Sequence, residues 1–207
     1  DTAPVIRRAS QPPTTAPCSR AQLRTGLALH EMRTQGLAQA GGPTVEQGLP
    51  SNVVFAIAFA PDGFAWIGTD AGVAVYDGQS VTQVFNVKNT GLASDRVRAI
   101  LTDSSGAMWV ATDGGLSHFT ADGEWEHFTA GNPFSEGLSF VTDLAEAQGV
   151  LWVATDNDGF YRFADGEWKQ QPADGLFAAA VAPDGSVWFG TYYHGAGHFA
   201  NDEWEQF

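Results

Sequence analysis

Ala65-Trp66-Ile67-Gly68-Thr69-Asp70, Met108-Trp109-Val110-Ala111-Thr112-Asp113, Leu151-Trp152-Val153-Ala154-Thr155-Asp156 and Val187-Trp188-Phe189-Gly190-Thr191-Tyr192 are four versions of one hexapeptide. Their tryptophans lie 43, 43 and 36 residues apart. A second tryptophan recurs in step as Trp125, Trp168 and Trp204, each after a Glu, at spacings of 43 and 36. Two independent markers with one spacing define an internal repeat. Its period is that of a four-stranded propeller blade.

Working outward from the hexapeptide, the second unit divides into four short strands. Val97–Asp103 alternates apolar and polar residues, and Ser104-Ser105-Gly106 turns the chain. Ala107–Thr112 follows, then Asp113-Gly114-Gly115, Leu116–Thr120, Asp122-Gly123 and Trp125–Thr129. Period-2 segments separated by glycine-bearing turns are hairpin signals. Equivalent turns are Pro61-Asp62-Gly63, Gln148-Gly149 and Pro183-Asp184-Gly185. No helix fits between them. The second strand is apolar on both faces, as expected inside a stack of sheets. Its Trp is expected to fill the wedge between blades. The small residue two positions on (Gly68, Ala111, Ala154, Gly190) leaves room for a neighbouring backbone, and the Thr is suited to a backbone group at the strand end. Gly48-Leu49, Gly91-Leu92, Gly137-Leu138 and Gly175-Leu176 are read as the openings of the four units.

The expected fold is therefore all-β: a propeller of four-stranded antiparallel blades, at about 48–90, 91–136, 137–174 and 175–207. Residues 1–47 precede it as a Pro/Thr-rich linker with a short helix over 19–40. Residues 1–47 hold five arginines and three acids, a net +2, while residues 48–207 hold five basic and 21 acidic residues, a net −16. The total of −14 argues against nucleic-acid binding, which needs a cationic footprint. The apolar runs are far shorter than the ~18 residues of a membrane span. Cys18, the single cysteine, excludes an internal disulfide. No apolar leader opens the sequence, so an exported form is expected to have shed its signal already.

The pattern Gly-Leu, apolar strand, Asp-Gly, Trp-apolar-Gly/Ala-Thr, Gly-apolar-aromatic resembles the two-component regulator propeller repeat, over about residues 48–207. That resemblance implies an extracytoplasmic (periplasmic or secreted) sensor-type propeller of bacterial origin. It implies binding of carbohydrates or other small ligands, and no catalytic residue. Such propellers usually close with about seven blades, and four units are visible here. Three closures are consistent with this: a longer chain, a ring of four blades, or two chains completing one ring.

Candidate chemistry lies in the loops after the second strands. Asp70, Asp113 and Asp156 follow the repeated Thr and are expected to form an arc on one face of the propeller. Asp158 lies in Asp156-Asn157-Asp158-Gly159, which reads as a turn because it lacks the later ligands of a calcium loop. The fourth unit departs from the pattern with Tyr192-Tyr193-His194, in a loop one residue longer than those of the first two. Acidic and aromatic groups near an opening suit a polar ligand stacked on a ring. The expected ligand site is thus Asp70, Asp113, Asp156, Asp158, Tyr192, Tyr193 and His194, walled by the loops Asn86–Asp95 and Ala130–Ser139. Val75, His118, Arg162 and His198 share one repeat position and are read as a strand surface, as is His127, in line with Gln170 and Gln206. Neither a metal nor a cofactor is expected. The sequence holds no nucleophile elbow or phosphate loop. The expected role is a non-enzymatic ligand-binding or protein-interaction module, the partner being a small polar ligand or a protein or second copy that completes the ring. A structural subunit and a polysaccharide-active enzyme are the alternatives.

Overall fold

The computed structural model describes residues 42–136 and 140–207. Residues 1–41 of the linker, with its expected helix, and Gly137-Leu138 lie outside them. The described strands fall in a compact unit spanning Gln39–Phe207.

Four blades follow one another along the chain. Blade 1 holds β1 (Val54–Phe59), β2 (Ala65–Thr69), β3 (Gly72–Tyr76) and β4 (Val81–Phe85). Blade 2 holds β5 (Val97–Thr102), β6 (Met108–Thr112), β7 (Gly115–Phe119), β8 (Trp125–Ala130) and a short β9 (Pro133–Phe134). Blade 3 holds β10 (Val141–Ala147), β11 (Val150–Thr155), β12 (Phe160–Ala164) and β13 (Glu167–Gln171). Blade 4 holds β14 (Leu176–Val181), β15 (Val187–Thr191), β16 (Ala196–Ala200) and β17 (Glu203–Gln206). Each sheet is an antiparallel meander in chain order, apart from β9, which runs parallel to β8. The sequence reading missed β9. Phe134 anchors it, fully buried and edge-on to Tyr161 with ring centroids 4.8 Å apart.

The blades meet chiefly through their first strands, β1 against β5, β5 against β10 and β10 against β14. Between them lie the apolar clusters that the alternation anticipates. Trp66, Val73 and Val75 of blade 1 pack with Val97, Met108 and Val110 of blade 2. Trp109, Ala111 and Leu116 pack with Val141, Leu144 and Tyr161. Trp152 and Phe160 pack with Leu176, Val187 and Phe189. β6 is buried throughout, because a sheet lies on both of its faces.

Two readings need correction. Leu49 and Leu92 are buried ahead of the first strands of their blades. Leu176 is instead the first residue of β14, opposite Thr191, as Val97 is opposite Thr112. Gly175-Leu176 therefore is not the equivalent of Gly91-Leu92; the connection into blade 4 is shorter. Secondly, Val75, His118, Arg162 and His198 stand directly across from the wedge tryptophans Trp66, Trp109, Trp152 and Trp188. They do point away from the neighbouring aromatics, as alternation requires. For Val75, His118 and Arg162 the face they occupy is an inter-blade face, not a solvent face; His198 lies beside Trp188, which is 40% exposed. Val75 is core, and the His118 ring stacks on Trp109 with centroids 3.8 Å apart.

Candidate functional site

The repeated Thr organises one face of the propeller. Thr69 Oγ1 donates to the Gly72 carbonyl at 2.8 Å and accepts the Ala71 N–H at 3.1 Å. Thr112 repeats this with the Gly115 carbonyl and the Gly114 N–H, at 2.8 and 3.2 Å. In blades 3 and 4 the loop is one residue longer. Thr155 and Thr191 donate to Gly159 and Gly195 there, and accept from the Asp158 and His194 N–H groups. Each hydroxyl thus pairs backbone groups inside its loop, as buried polar groups require; in blades 3 and 4 it reinforces a backbone bond between the same residues, from the Thr155 N–H to the Gly159 carbonyl and from the Thr191 N–H to the Gly195 carbonyl.

The loops so formed are bonded to the inter-blade loops. Gly72 N–H donates to the Asp95 carbonyl at 2.7 Å, and Asp113 N–H to the Arg96 carbonyl at 3.1 Å. Asp156 N–H reaches the Phe140 carbonyl at 3.3 Å, Gly175 N–H the Asp156 carbonyl at 2.8 Å, and Tyr192 N–H the Gly175 carbonyl at 2.9 Å. These loops therefore share one rim. Asn86 caps the helical turn Val87–Thr90 on it, its side chain accepting from the Lys88 and Asn89 N–H groups. His127 bridges Ser117 Oγ and the Thr90 carbonyl at 3.0 and 3.1 Å, and Gln170 donates to the Asp158 carbonyl at 2.9 Å. The position read as a bland outer-strand surface thus helps fasten the rim.

The seven candidate residues all stand in these loops, in different settings. The Asp70 side chain is exposed. Asp113 is half-buried and paired with Arg98 Nε, with Arg96 Nε at 3.8 Å on its other oxygen. Asp156 Oδ1 accepts the Phe140 N–H at 3.1 Å. The Asp158 carboxylate takes donors from Ser135 N–H, Ser135 Oγ, the Tyr161 hydroxyl and Gln170 Nε2. Burial would raise its pKa, but the Ser135 and Tyr161 hydrogen bonds outweigh that and hold it below the usual carboxylate value. Burial, reinforced by Asp158, pushes the Tyr161 phenol up. Tyr192 is exposed and packs on Phe177 with centroids 4.9 Å apart, while Tyr193 is 83% exposed. His194 borders a pocket of about 300 Å³ with Pro172, Asp174, Trp204 and Gln206. No group of three or more His, Cys, Asp or Glu is arranged to hold a metal among the described residues.

One class of rim residue escaped the sequence reading. Each first strand breaks register with its second strand after its first residue, so that Phe55, Arg98, Thr142 and Phe177 are the bulged residues. Bulges re-aim side chains and gather near sites. Arg98 is directed to Asp113, with its guanidinium over the Phe140 ring at 4.7 Å. Arg96 lies over the bulged Phe55 at 5.3 Å. The expected acidic arc is thus mixed in charge, since two arginines balance its middle carboxylate. The available signal was the Asp95-Arg96-Val97-Arg98 sequence, whose two cations break the acidic trend of residues 48–207.

The opposite face carries a cleft of about 220 Å³ between blades 2 and 3, lined by Asp103, Trp109, His118, Glu146, Leu151 and Phe163. Its polar groups are largely spoken for. Asp103 accepts the Trp109 indole N–H at 2.8 Å, and Glu146 accepts the Ser104 N–H at 2.7 Å.

Four-stranded meanders stacked through their first strands, with loops gathered on one rim, define a β-propeller. Residues 48–71 and 91–114 match the two component regulator propeller family. No curated protein matches. Among solved structures, the extracellular domain of the putative hybrid two component system BT3049 from B. thetaiotaomicron is similar at 20% identity and a TM-score of 0.68. The match covers 82% of this chain and 26% of that one. Virginiamycin B lyase from Staphylococcus aureus with quinupristin is similar at 18% identity and a TM-score of 0.61, over 75% of this chain and 55% of the lyase. A gluconolactonase from Xanthomonas campestris is similar at 15% identity and a TM-score of 0.56, over 75% of this chain and 62% of that one. The chain thus spans about a quarter of the sensor domain and just over half of the lyase. At these identities the likeness establishes the fold, which sensors and enzymes share.

Proposed function

We propose that this chain is a non-catalytic, extracytoplasmic binding propeller that takes a small polar ligand, a carbohydrate by preference, on the rim formed by its second-strand and inter-blade loops. The observation that carries the reading is the composition of that rim. Tyr192 and Tyr193 present open ring faces beside the bulged Phe177, and Asp70 is unburdened. The Arg98–Asp113 pair offers donors and an acceptor at one place. Exposed aromatic faces and fixed donors and acceptors on one rim suit a sugar, whose C–H face stacks while its hydroxyls bond at the edge. The extracytoplasmic setting is supported by the similarity to B. thetaiotaomicron domains that are extracellular. No helix among the described residues is long and apolar enough to cross a membrane.

The test is titration of the chain against a glycan panel by calorimetry, for wild type, Tyr193→Ala and Arg98→Ala. Binding that falls at least tenfold in Tyr193→Ala, with Tm unchanged, supports the reading. Binding unaffected by either variant moves the site off the rim, and turnover of a glycan without stable binding would make the protein an enzyme.

A further inference from the structure

Blade 3 carries a row of donors that its neighbours do not. Trp152, Arg162 and Lys169 stand directly across from one another on β11, β12 and β13, and so share one face of the sheet, the face on which blade 4 packs. The corresponding rows are Trp66, Val75 and Gln83 in blade 1, Trp109, His118 and Glu126 in blade 2, and Trp188, His198 and Glu205 in blade 4. In blade 2 the row is satisfied: His118 Nδ1 lies 3.0 Å from Glu126 Oε2, and the Trp109 indole N–H donates to Asp103 at 2.8 Å. Blade 3 has neither acceptor. Lys169 stands in place of the glutamate. Ala147 stands two residues beyond the cross-strand partner of Trp152, where Asp103 stands two residues beyond that of Trp109. Trp152 is only 6% exposed, and its indole N–H is buried without a hydrogen-bond partner. These three donors border a cleft of about 270 Å³ with Val150 and Ala164 as its apolar lining. Val150 and Ala164 lie at the β10–β11 and β12–β13 turns, so the cleft belongs to the face opposite the rim. Arg162 donates from Nη1 to Asp202 of blade 4 at 2.6 Å. The Lys169 ammonium has no ion pair among the described residues, and the exposed Asp165 and Glu167 at the border of the cleft pair with neither cation.

Two of the five basic residues of 48–207 thus face each other in a segment of net −16. Like charges directly opposite on a sheet are destabilising, and a buried N–H without an acceptor costs free energy as well. An acceptor-only group lodged in the cleft would relieve both. We infer that the cleft between blades 3 and 4 binds a small organic monocarboxylate, with one oxygen accepting from Trp152 Nε1, the other facing Arg162 and Lys169, and the body of the ligand against Val150 and Ala164. A planar carboxylate matches the guanidinium fork, and an ammonium adds a point charge from a second direction. The acidic surroundings disfavour an anion of higher charge, such as sulfate or phosphate. The apolar lining calls for an organic body, and the volume is close to the lower bound of small-molecule pockets, about 300 Å³. This site lies on the face opposite the glycan rim and does not depend on it.

The test is proton–nitrogen NMR of the indole groups of the 207-residue chain during titration with D-glucuronate, acetate, sulfate and D-glucose. Trp152→Phe assigns the Trp152 signal among the seven tryptophans by its loss. Lys169→Gln and Arg162→Gln, each shown to be folded by circular dichroism, report on the two cations. Glucuronate is expected to move the Trp152 indole signal to saturation, acetate to move the same signal at higher concentration, and glucose to leave it in place. Lys169→Gln, at an exposed position, should weaken glucuronate binding at least about tenfold with the fold intact. A Trp152 signal that neither carboxylate moves at about 10 mM would overturn the inference. So would glucose binding as well as glucuronate, which would make the cleft a neutral-sugar site, or sulfate binding in preference to both carboxylates. Glucuronate binding indifferent to Lys169→Gln and Arg162→Gln would equally overturn it. Tyr193→Ala and Arg98→Ala lie on the rim and are expected to leave this titration unchanged, so failure of either reading leaves the other standing.

Discussion

Val97 fills the space that a side chain on Gly68 would need. A Cβ placed on Gly68 would lie 2.5 Å from Val97 Cγ1 and 3.1 Å from Ile100 Cδ1. The glycine of β2 is therefore the socket for the first strand of blade 2, and the junction between blades is a matter of one missing methyl group. Blades 2 and 3 carry Ala at the same position, so the socket is adjusted junction by junction. Gly68→Ala is expected to destabilise the chain by about 1–3 kcal/mol through overpacking. Val97→Ala in the same chain should recover part of that loss, and urea denaturation of the single and double variants measures it.

The tryptophans separate by position. Trp109 is buried, stacked on His118 and bonded through its indole N–H to Asp103 at 2.8 Å. Trp109→Ala should cost about 3–5 kcal/mol. Trp188→Ala should cost roughly 1 kcal/mol or less, because much of its surface is already in water. Thermal denaturation gives both values.

Thr112→Val tests the repeated hydroxyl. The replacement keeps the shape but strands the Gly115 carbonyl and the Gly114 N–H, both bonded to Thr112 Oγ1 in a fully buried position. A loss of about 1–3 kcal/mol is expected. Tritium or deuterium exchange at the Gly114 amide should accelerate in the same variant.

Asp158 and Asp143 are expected to respond to pH in opposite senses. Hydrogen bonds overcome burial at Asp158 and hold its folded-state pKa below 3.8, so its stabilisation is present above that value and is lost as pH falls through the lowered one. Burial dominates at Asp143, whose carboxylate fastens β10 to β14 by accepting the Ala179 N–H at 2.8 Å, and its pKa is raised. Its contribution is present below 3.8 and is lost as pH rises through the raised value. Relative to wild type, Asp158→Asn should therefore become less stable as pH rises from acid to neutral, and Asp143→Asn more stable. Chemical denaturation across that range checks the two slopes, with a difference of about 1 kcal/mol expected for Asp158→Asn at neutral pH.

Much of this protein can be read from a single strand of text. The recurrence of Trp66, Trp109, Trp152 and Trp188 at blade spacing determined the architecture, because only a stacked sheet buries both faces of a strand at that period. The Thr-loop pairing and the longer loop at Tyr192-Tyr193-His194 were legible for the same reason: they are local, and a local hydrogen bond depends on residues a few positions apart. What sequence reasoning could not reach depends on who faces whom. Alternation correctly turned His118 away from Phe119, but the register of β7 on β6 set it over Trp109, and only the packing of blade 3 kept that face from water. The register break at Arg98 and the pairing of its guanidinium with Asp113 depend on strand offsets that no spacing encodes, and they turn an acidic arc into a rim of mixed charge. The exposure of Val54 and Trp188 is likewise a tertiary fact. Their sequence surroundings match those of their buried counterparts, and what differs is the packing around them.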